Sequence, residues 1–421
     1  MAKKGRDLLK ENQRLHWAWI IFGICWINLF VNYSARLGYA VILPEMIRTL
    51  GFGRVAVGLI FNFYLIVYIT ISPFTGFLTD RFGARRVITI CLLILSLGVF
   101  FMGSVTSLWS ACFFFAIAGL GATGMWVPVV AMVQRWVTIK RRGITLGMVS
   151  TGFGLGLATM GAVFPWVVEN FSWRYAWYFL GGMALALVPL NGLLLKSDPE
   201  SAGFQPWGQK EVPSNPNTDI NTPKTRIPLS ALFKDSRFWL IGLSYFAVAY
   251  SLYCITTFMV DYAEYQLGLT KALSSRLASV HGIGQVIGVL TVLPLSDSLG
   301  RKKTILISNA LIAVAMVALL VVGKQLFLLY FFVGCVGVAY GTTFPIYGLC
   351  AGDYFPREAI ATVAGAWTPF YGFGAILTHW ISGTLRDTTG VYNHAFIISA
   401  VMAFMGLLLM SRVRKLSQHD E

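Results

Sequence analysis

The chain has 421 residues, 56% of them hydrophobic, 14% aromatic and 12% charged, with a formal net charge of +15. Soluble domains are nearer half apolar and a quarter charged, so the composition excludes an ordinary water-soluble enzyme and points to an integral membrane protein. The basic residues punctuate long apolar runs instead of collecting on one face or tail, which argues against a nucleic-acid partner.

In chain order, residues 1–16 read as a polar, basic tail. The apolar run that follows is too long for a signal-peptide core and lacks a small-residue cleavage site, so it is read as a retained span. Twelve membrane spans are expected over residues 17–43, 54–79, 87–105, 108–134, 143–168, 175–195, 238–262, 273–296, 303–322, 326–350, 359–384 and 393–411. With the N-terminus cytoplasmic, the segments on that side carry about 25 Lys and Arg and the outer loops about 6, the asymmetry of the positive-inside rule. Residues 196–237 hold 6 of the 15 prolines and read as a cytoplasmic linker, not a packed unit. The expected organisation is an N-terminal six-helix bundle over 17–195, that linker, a C-terminal six-helix bundle over 238–411, and a cytoplasmic tail over 412–421. No segment at either end is long enough for a separate soluble domain. Cys25, Cys91, Cys112, Cys254, Cys335 and Cys350 all fall in apolar spans without a CxxC pair, and read as buried reduced thiols.

The two halves repeat one another. FLTDRFGARRVI at 77–88 aligns with PLSDSLGRKKTI at 294–305, Asp80 with Asp297 and Gly83 with Gly300, at an offset of 217 residues (297 − 80). At that offset Gly124 and Pro128 meet Gly341 and Pro345. One residue further, at 218 (365 − 147), Gly147 meets Gly365, and Gly154 and Gly156 meet Gly372 and Gly374. A constant offset over several spans implies an internal duplication, the plan of transporters whose substrate site lies between two bundles near mid-membrane.

Ionisable residues inside spans are costly and mark candidate sites. Arg36, in the outer half of the first span, is a fixed guanidinium suited to holding a carboxylate by two parallel hydrogen bonds. Its other reading is a snorkelling or interhelical arginine. In the eighth span His281 and Gln285 share a face, and a neutral histidine can take up and pass on a proton; the alternative is a hydrogen-bonded structural histidine. Arg276 reads as interfacial and His379 as structural. Asp261 and Glu264, near the outer end of the seventh span, are further candidates for carrying or gating a proton. The repeat pairs Arg36 with Tyr253 and Tyr64 with His281. Asn32, Tyr33, Tyr64, Trp126, Tyr253, Tyr347, Trp367 and Tyr371 are candidates for the cavity wall, as are Asn62, Tyr68, Tyr340 and Thr343; each also has a plain packing reading. The glycine-rich runs in the fifth and eleventh spans read as close helix packing. No HExxH, GxSxG or phosphate-binding loop is present.

Gly76, Asp80, Arg81, Gly83 and Arg86 resemble the loop 2–3 signature of the major facilitator superfamily, and Asp297, Gly300, Arg301 and Lys302 resemble its weaker repeat in loop 8–9. DPESAGFQPWG at 198–208 is similar to a segment after the sixth helix in organic-anion members. The resemblance implies an all-α membrane fold of twelve transmembrane helices in two pseudo-symmetric six-helix bundles. It also implies a gate at the signature loop, in which Asp80 is latched by Arg135 or by the start of the eleventh helix in the outward-open state. A carboxylate at the C-terminal end of a helix opposes the helix dipole and needs such a partner. The structural alternative is a loop that marks topology. Tyr33-x-x-Arg36 looks similar to the first-helix arginine of anion:cation symporters, but Ala35 stands where that family has an acid. The general layout resembles monocarboxylate transporters, whose eighth-helix arginine would fall near Leu290 and is missing here.

The expectation is a secondary active transporter, not an enzyme, moving a small mono- or dicarboxylate by alternating access as proton symport. Arg36 binds the anion, and His281, Asp261 or Glu264 handles the proton. It needs no cofactor or metal, works as a monomer, and lies in the plasma membrane (the inner membrane of a Gram-negative source). The alternatives are an anion exchanger and an efflux transporter for hydrophobic or cationic compounds. A buried carboxylate in mid-span would suit the latter, and none is found.

Overall fold

The structure, a computed structural model, describes residues 16–138, 141–208, 233–355 and 360–414, with the side chain of Asp80 among a few left outside. The expected tails and most of the linker lie outside the described residues. Backbone groups in a bilayer must bond within their own segment, so the long apolar runs fold as helices. Those helices are α1 (Trp17–Leu50), α2 (Arg54–Phe82), α3 (Ala84–Met102), α4 (Leu108–Arg135), α5 (Arg142–Asn170) and α6 (Trp173–Leu194) in the first half. The second half holds α7 (Ser236–Gln266), α8 (Lys271–Leu299), α9 (Arg301–Val321), α10 (Leu326–Tyr354), α11 (Ile360–Thr389) and α12 (Asn393–Arg412). Eleven are long and apolar enough to cross a membrane, and α11, with 30 residues, is the twelfth long helix among the described residues. The only β pairing among them is an isolated bridge between Val137 and Trp207.

Several helices outrun the apolar spans. The first continues past Pro44 to Leu50 and stops at Gly51, whose φ of 67° lets its N–H bond the Ile47 carbonyl at 3.0 Å. The seventh ends in a π turn over Tyr262–Gln266. Hydropathy falls where a helix leaves the hydrocarbon, but its backbone bonding continues, so the polar ends escape a hydropathy reading.

The duplicated loop has one geometry in both halves. A single glycine joins α2 to α3 and α8 to α9: Gly83 at φ 85°, ψ 145° and Gly300 at φ 87°, ψ 140°. That region is open essentially to glycine alone. By contrast, a Cβ on Gly76 would lie 3.7 Å from Val127, an ordinary contact.

The most extensive contacts between the bundles run along two seams, α5 with α8 and α2 with α11. A Cβ on Gly154 would fall 2.3 Å from the Gly282 carbonyl oxygen, so the backbones of α5 and α8 touch there, and Ser279 donates to the Ala158 carbonyl at 2.8 Å. Along the other seam, a Cβ on Gly58 would fall 2.9 Å from the His379 carbonyl oxygen. Both seams part towards the end of the molecule that carries residues 196–208. There Leu146 and Leu293, and likewise Ser72 and Thr368, line open space. The two bundles thus form a V, closed at the far end and open at the linker end.

Residues 196–208 correct the linker expectation at its start. They pack on the first bundle: Phe204 stacks on Trp17 at 6.2 Å, Trp207 meets Trp19 at 4.9 Å, and Lys196 sits over the Trp17 ring at 4.6 Å. Proline and polar content concealed aromatic side chains that bury against the helix ends.

Candidate functional site

At the apex of the V a narrow chamber of about 40 Å³ surrounds Arg36. It shares Tyr68, Phe344, Pro345 and Thr368 as wall with a neighbouring vestibule of about 500 Å³ on the linker side. Arg36 is 6% exposed. Its Nη2 donates to the Tyr253 hydroxyl at 2.6 Å, across the bundle boundary. Its guanidinium lies over the rings of Tyr68, Tyr33 and Tyr64, at 5.2, 5.5 and 5.7 Å from their centroids. Aromatic faces attract a cation without neutralising it. Among the described residues no ion pair involves Arg36. Its Nε, the Oδ1 of Asn32 and the Tyr64 hydroxyl are buried without a hydrogen-bond partner. A desolvated charge is costly unless something of opposite sign meets it. The apex is therefore a cationic site with unused donors.

The duplication explains how the chain builds this apex. Arg36 and Tyr253, equivalent in the two halves, bond to each other, and Tyr68 and Gln285, separated by the same offset, both line the chamber. Pro345 lacks the N–H that would hold the Gly341 carbonyl in α10, and both residues line the chamber.

Of the residues expected at the cavity, Tyr33, Arg36, Tyr68, Tyr253, Gln285, Tyr340 and Tyr371 surround the narrow chamber. Trp126, Tyr347 and Trp367 surround the vestibule. Asn32, Tyr64 and His281 lie behind this wall, fully or nearly fully buried. His281 is held on both sides: Gln285 Nε2 lies 3.0 Å from Nδ1, and the Thr256 hydroxyl lies 3.2 Å from Nε2. Thr256 donates to the Leu252 carbonyl, so His281 Nε2 donates and Nδ1 accepts from the amide. Nδ1 can take a proton only if Gln285 turns its amide.

The far end is closed by charged groups. Arg54 Nε and Nη2 each donate to a different Asp261 oxygen at 3.2 Å, and the Tyr392 hydroxyl donates to Asp261 Oδ2 at 2.6 Å. Asp261 is completely buried. Asp387 accepts from the Val55 N–H at 3.1 Å and lies 4.0 Å from Arg54, and Lys271 pairs with Glu45 at 3.0 Å. Beneath them His379 bridges Asn62 of α2, at 2.8 Å, and Thr257 of α7, at 2.9 Å. Glu264 is half-buried on the π turn, and no ion pair among the described residues involves it.

At the linker end Arg135 donates to Asp198 at 3.0 Å, within one bundle. Arg301 pairs with Asp297 on its own loop. Arg81 lies over Phe82 at 5.4 Å, and Arg86 is exposed. Asp80 and the start of α11, the other parts of the expected latch, fall on side chains outside those described.

Sequence reasoning missed Phe153 and Phe344, which line the chamber, and Arg54, Asp387 and Tyr392 at the far end. Phe153 was open to discovery, because the offset of 218 residues pairs it with Tyr371 (371 − 153).

Comparison with known proteins agrees with this architecture. The chain is 22% identical over 413 residues to a probable sulfoacetate transporter of Cupriavidus necator, covering 94% of each. It is 22% identical over 407 residues to a hexuronate transporter of Bacillus subtilis, covering 91% of each. Its fold matches the crystal structure of a bacterial homologue of the human lysosomal transporter Spinster, in an inward-facing and unoccupied conformation. That match has a TM-score of 0.74 at 14% identity, over 94% of this chain and 98% of that one. A family model described as Major Facilitator Superfamily matches residues 25–275 and 241–421. With its V of two six-helix bundles, the chain belongs to the Major Facilitator Superfamily and is a membrane transporter, not an enzyme.

Proposed function

We propose that the protein carries a small organic anion, a mono- or dicarboxylate, by alternating access between its two bundles, with a proton moving in the same direction. One observation carries the reading: a buried guanidinium, Arg36, sits at the apex of the inter-bundle cavity with a donor unused and no ion pair among the described residues. A carboxylate entering from the vestibule would neutralise that charge. The names of relatives that carry sulfoacetate and hexuronate support an anionic substrate.

The positive-inside distribution supports a cytoplasmic linker end, which makes this conformation inward-open. The Arg54–Asp261 network is then the outer gate. Asp261 is the best placed of the proton candidates, because a proton on it removes the charge that opening would leave unpaired. His281 and Glu264 complete the candidate set. The Asp80 loop and its repeat serve the inner gate once the bundles close at the linker end. The protein works as a monomer in the plasma membrane, its two termini cytoplasmic.

Uptake of labelled short carboxylates into proteoliposomes, with and without an inward proton gradient, tests this. Gradient-driven accumulation is expected. Uptake that ignores the gradient but needs anion inside the vesicles would make the protein an exchanger. The apolar vestibule favours one other reading, efflux of a hydrophobic compound, which uncharged substrates moving independently of Arg36 would support.

A further inference from the structure

The cavity that holds Arg36 is chemically lopsided. Arg36 is the one charged residue among those lining the chamber and vestibule, counted over the described residues. The chamber of about 40 Å³ is the size of a single small polar group, while the body of any larger substrate must occupy the vestibule of about 500 Å³. Phe344 stands in the wall common to the two, where it meets Trp126 at 5.8 Å and Tyr371 at 5.9 Å, both edge-on. The tyrosine rings Tyr245 and Tyr347 stack at 4.3 Å on the vestibule wall, and the Tyr347 hydroxyl is already bonded to Ser244 at 2.8 Å.

We propose that the substrate is a monoanion with an apolar, preferably aromatic, body: its carboxylate sits at Arg36 and its ring lies in the vestibule beside Phe344 and Trp126. The inference rests on the reading of Arg36 as the anion anchor and narrows it. A second carboxylate would lie in the vestibule with no cation beside it, and an unpaired charge in such surroundings is costly. A polyhydroxylated acid would need hydrogen-bond partners for each hydroxyl along a wall that is mostly ring and aliphatic surface. An aromatic ring exchanges water for aromatic edges and faces there.

Binding to the purified wild-type protein, followed by quenching of tryptophan fluorescence and by calorimetry, provides the test. The probes are benzoate, succinate, glucuronate and the uncharged benzamide. Benzoate is expected to bind about tenfold or more tightly than each of the others, the scale of discrimination that pocket contacts supply. A Phe344→Ala variant should weaken benzoate binding more than it weakens succinate binding. Succinate or glucuronate binding as tightly as benzoate would overturn the inference and leave the anion reading standing. Benzamide binding as tightly as benzoate, or no binding by any acid, would overturn both.

Discussion

Replacing Asp261 by asparagine should open the far end of the molecule. The buried carboxylate accepts two hydrogen bonds from Arg54 and one from Tyr392, and it ties α7 of one bundle to α2 of the other. Asparagine keeps the shape but loses the charge and turns an amide against the guanidinium. Removing one partner of a buried, hydrogen-bonded charge pair costs about 2–5 kcal/mol. Arg54 is 16% exposed and retains Asp387 at 4.0 Å, so the lower part of that range, about 2–3 kcal/mol, applies. At 1.4 kcal/mol per factor of ten, this moves the balance between far-end-closed and far-end-open forms by roughly 30- to 150-fold. A cysteine placed at Ser72 in the vestibule reports the change, with a membrane-impermeant thiol reagent added on each side of the membrane in turn. The far-side rate should rise and the linker-side rate should fall, against a control without the added cysteine. A far-side rate unchanged within about twofold would refute the reasoning, because a pair worth less than 1 kcal/mol does not hold the gate.

Other perturbations separate the parts of the account. Gly154→Val places methyl groups against the Gly282 backbone, where even a Cβ comes within 2.3 Å of its carbonyl oxygen, so the α5–α8 seam should not close. Transport should be lost while the protein remains in the membrane, as membrane-fraction immunoblots and uptake would show together. Gly83→Ala and Gly300→Ala both force an alanine to positive φ, at about 1–3 kcal/mol each. Thermal unfolding in detergent should show a larger loss at position 83, where a Cβ also lies 2.9 Å from Ser197 Oγ, than at position 300, where it meets open space. Proton-driven accumulation should survive His281→Gln, whose amide can replace ring hydrogen bonds, and fail in Asp261→Asn, with substrate exchange intact in the latter.

The helices and their duplication were legible because hydropathy and a constant offset are properties of the chain itself. The offset even paired Arg36 with Tyr253, which prove to be hydrogen-bonded across the bundles. Arg54 was not legible. It stands at the first residue of an expected span, next to residues that read as loop, and its partner is 207 residues away. His379 read as a structural histidine of one helix, whereas its two ring nitrogens join three helices and both bundles. His281 stood out as a polar residue in mid-span. Only the packing of helices reveals both its nitrogens engaged, since Thr256 comes from another helix. The aromatic anchor of residues 196–208 was masked by prolines around it. Composition marks a segment as irregular, but irregular backbone can still half-bury Phe204 and Trp207 against the bundle.

The central claim is that Arg36 holds the anion. It is tested most directly by uptake of a labelled carboxylate into proteoliposomes containing wild type, Arg36→Lys or Arg36→Gln, with each variant shown to be folded by its thermal transition. The account predicts that Arg36→Gln abolishes uptake and that Arg36→Lys, which keeps the charge but not the two-pronged geometry, retains a reduced rate. Uptake by Arg36→Gln at the wild-type rate would contradict it.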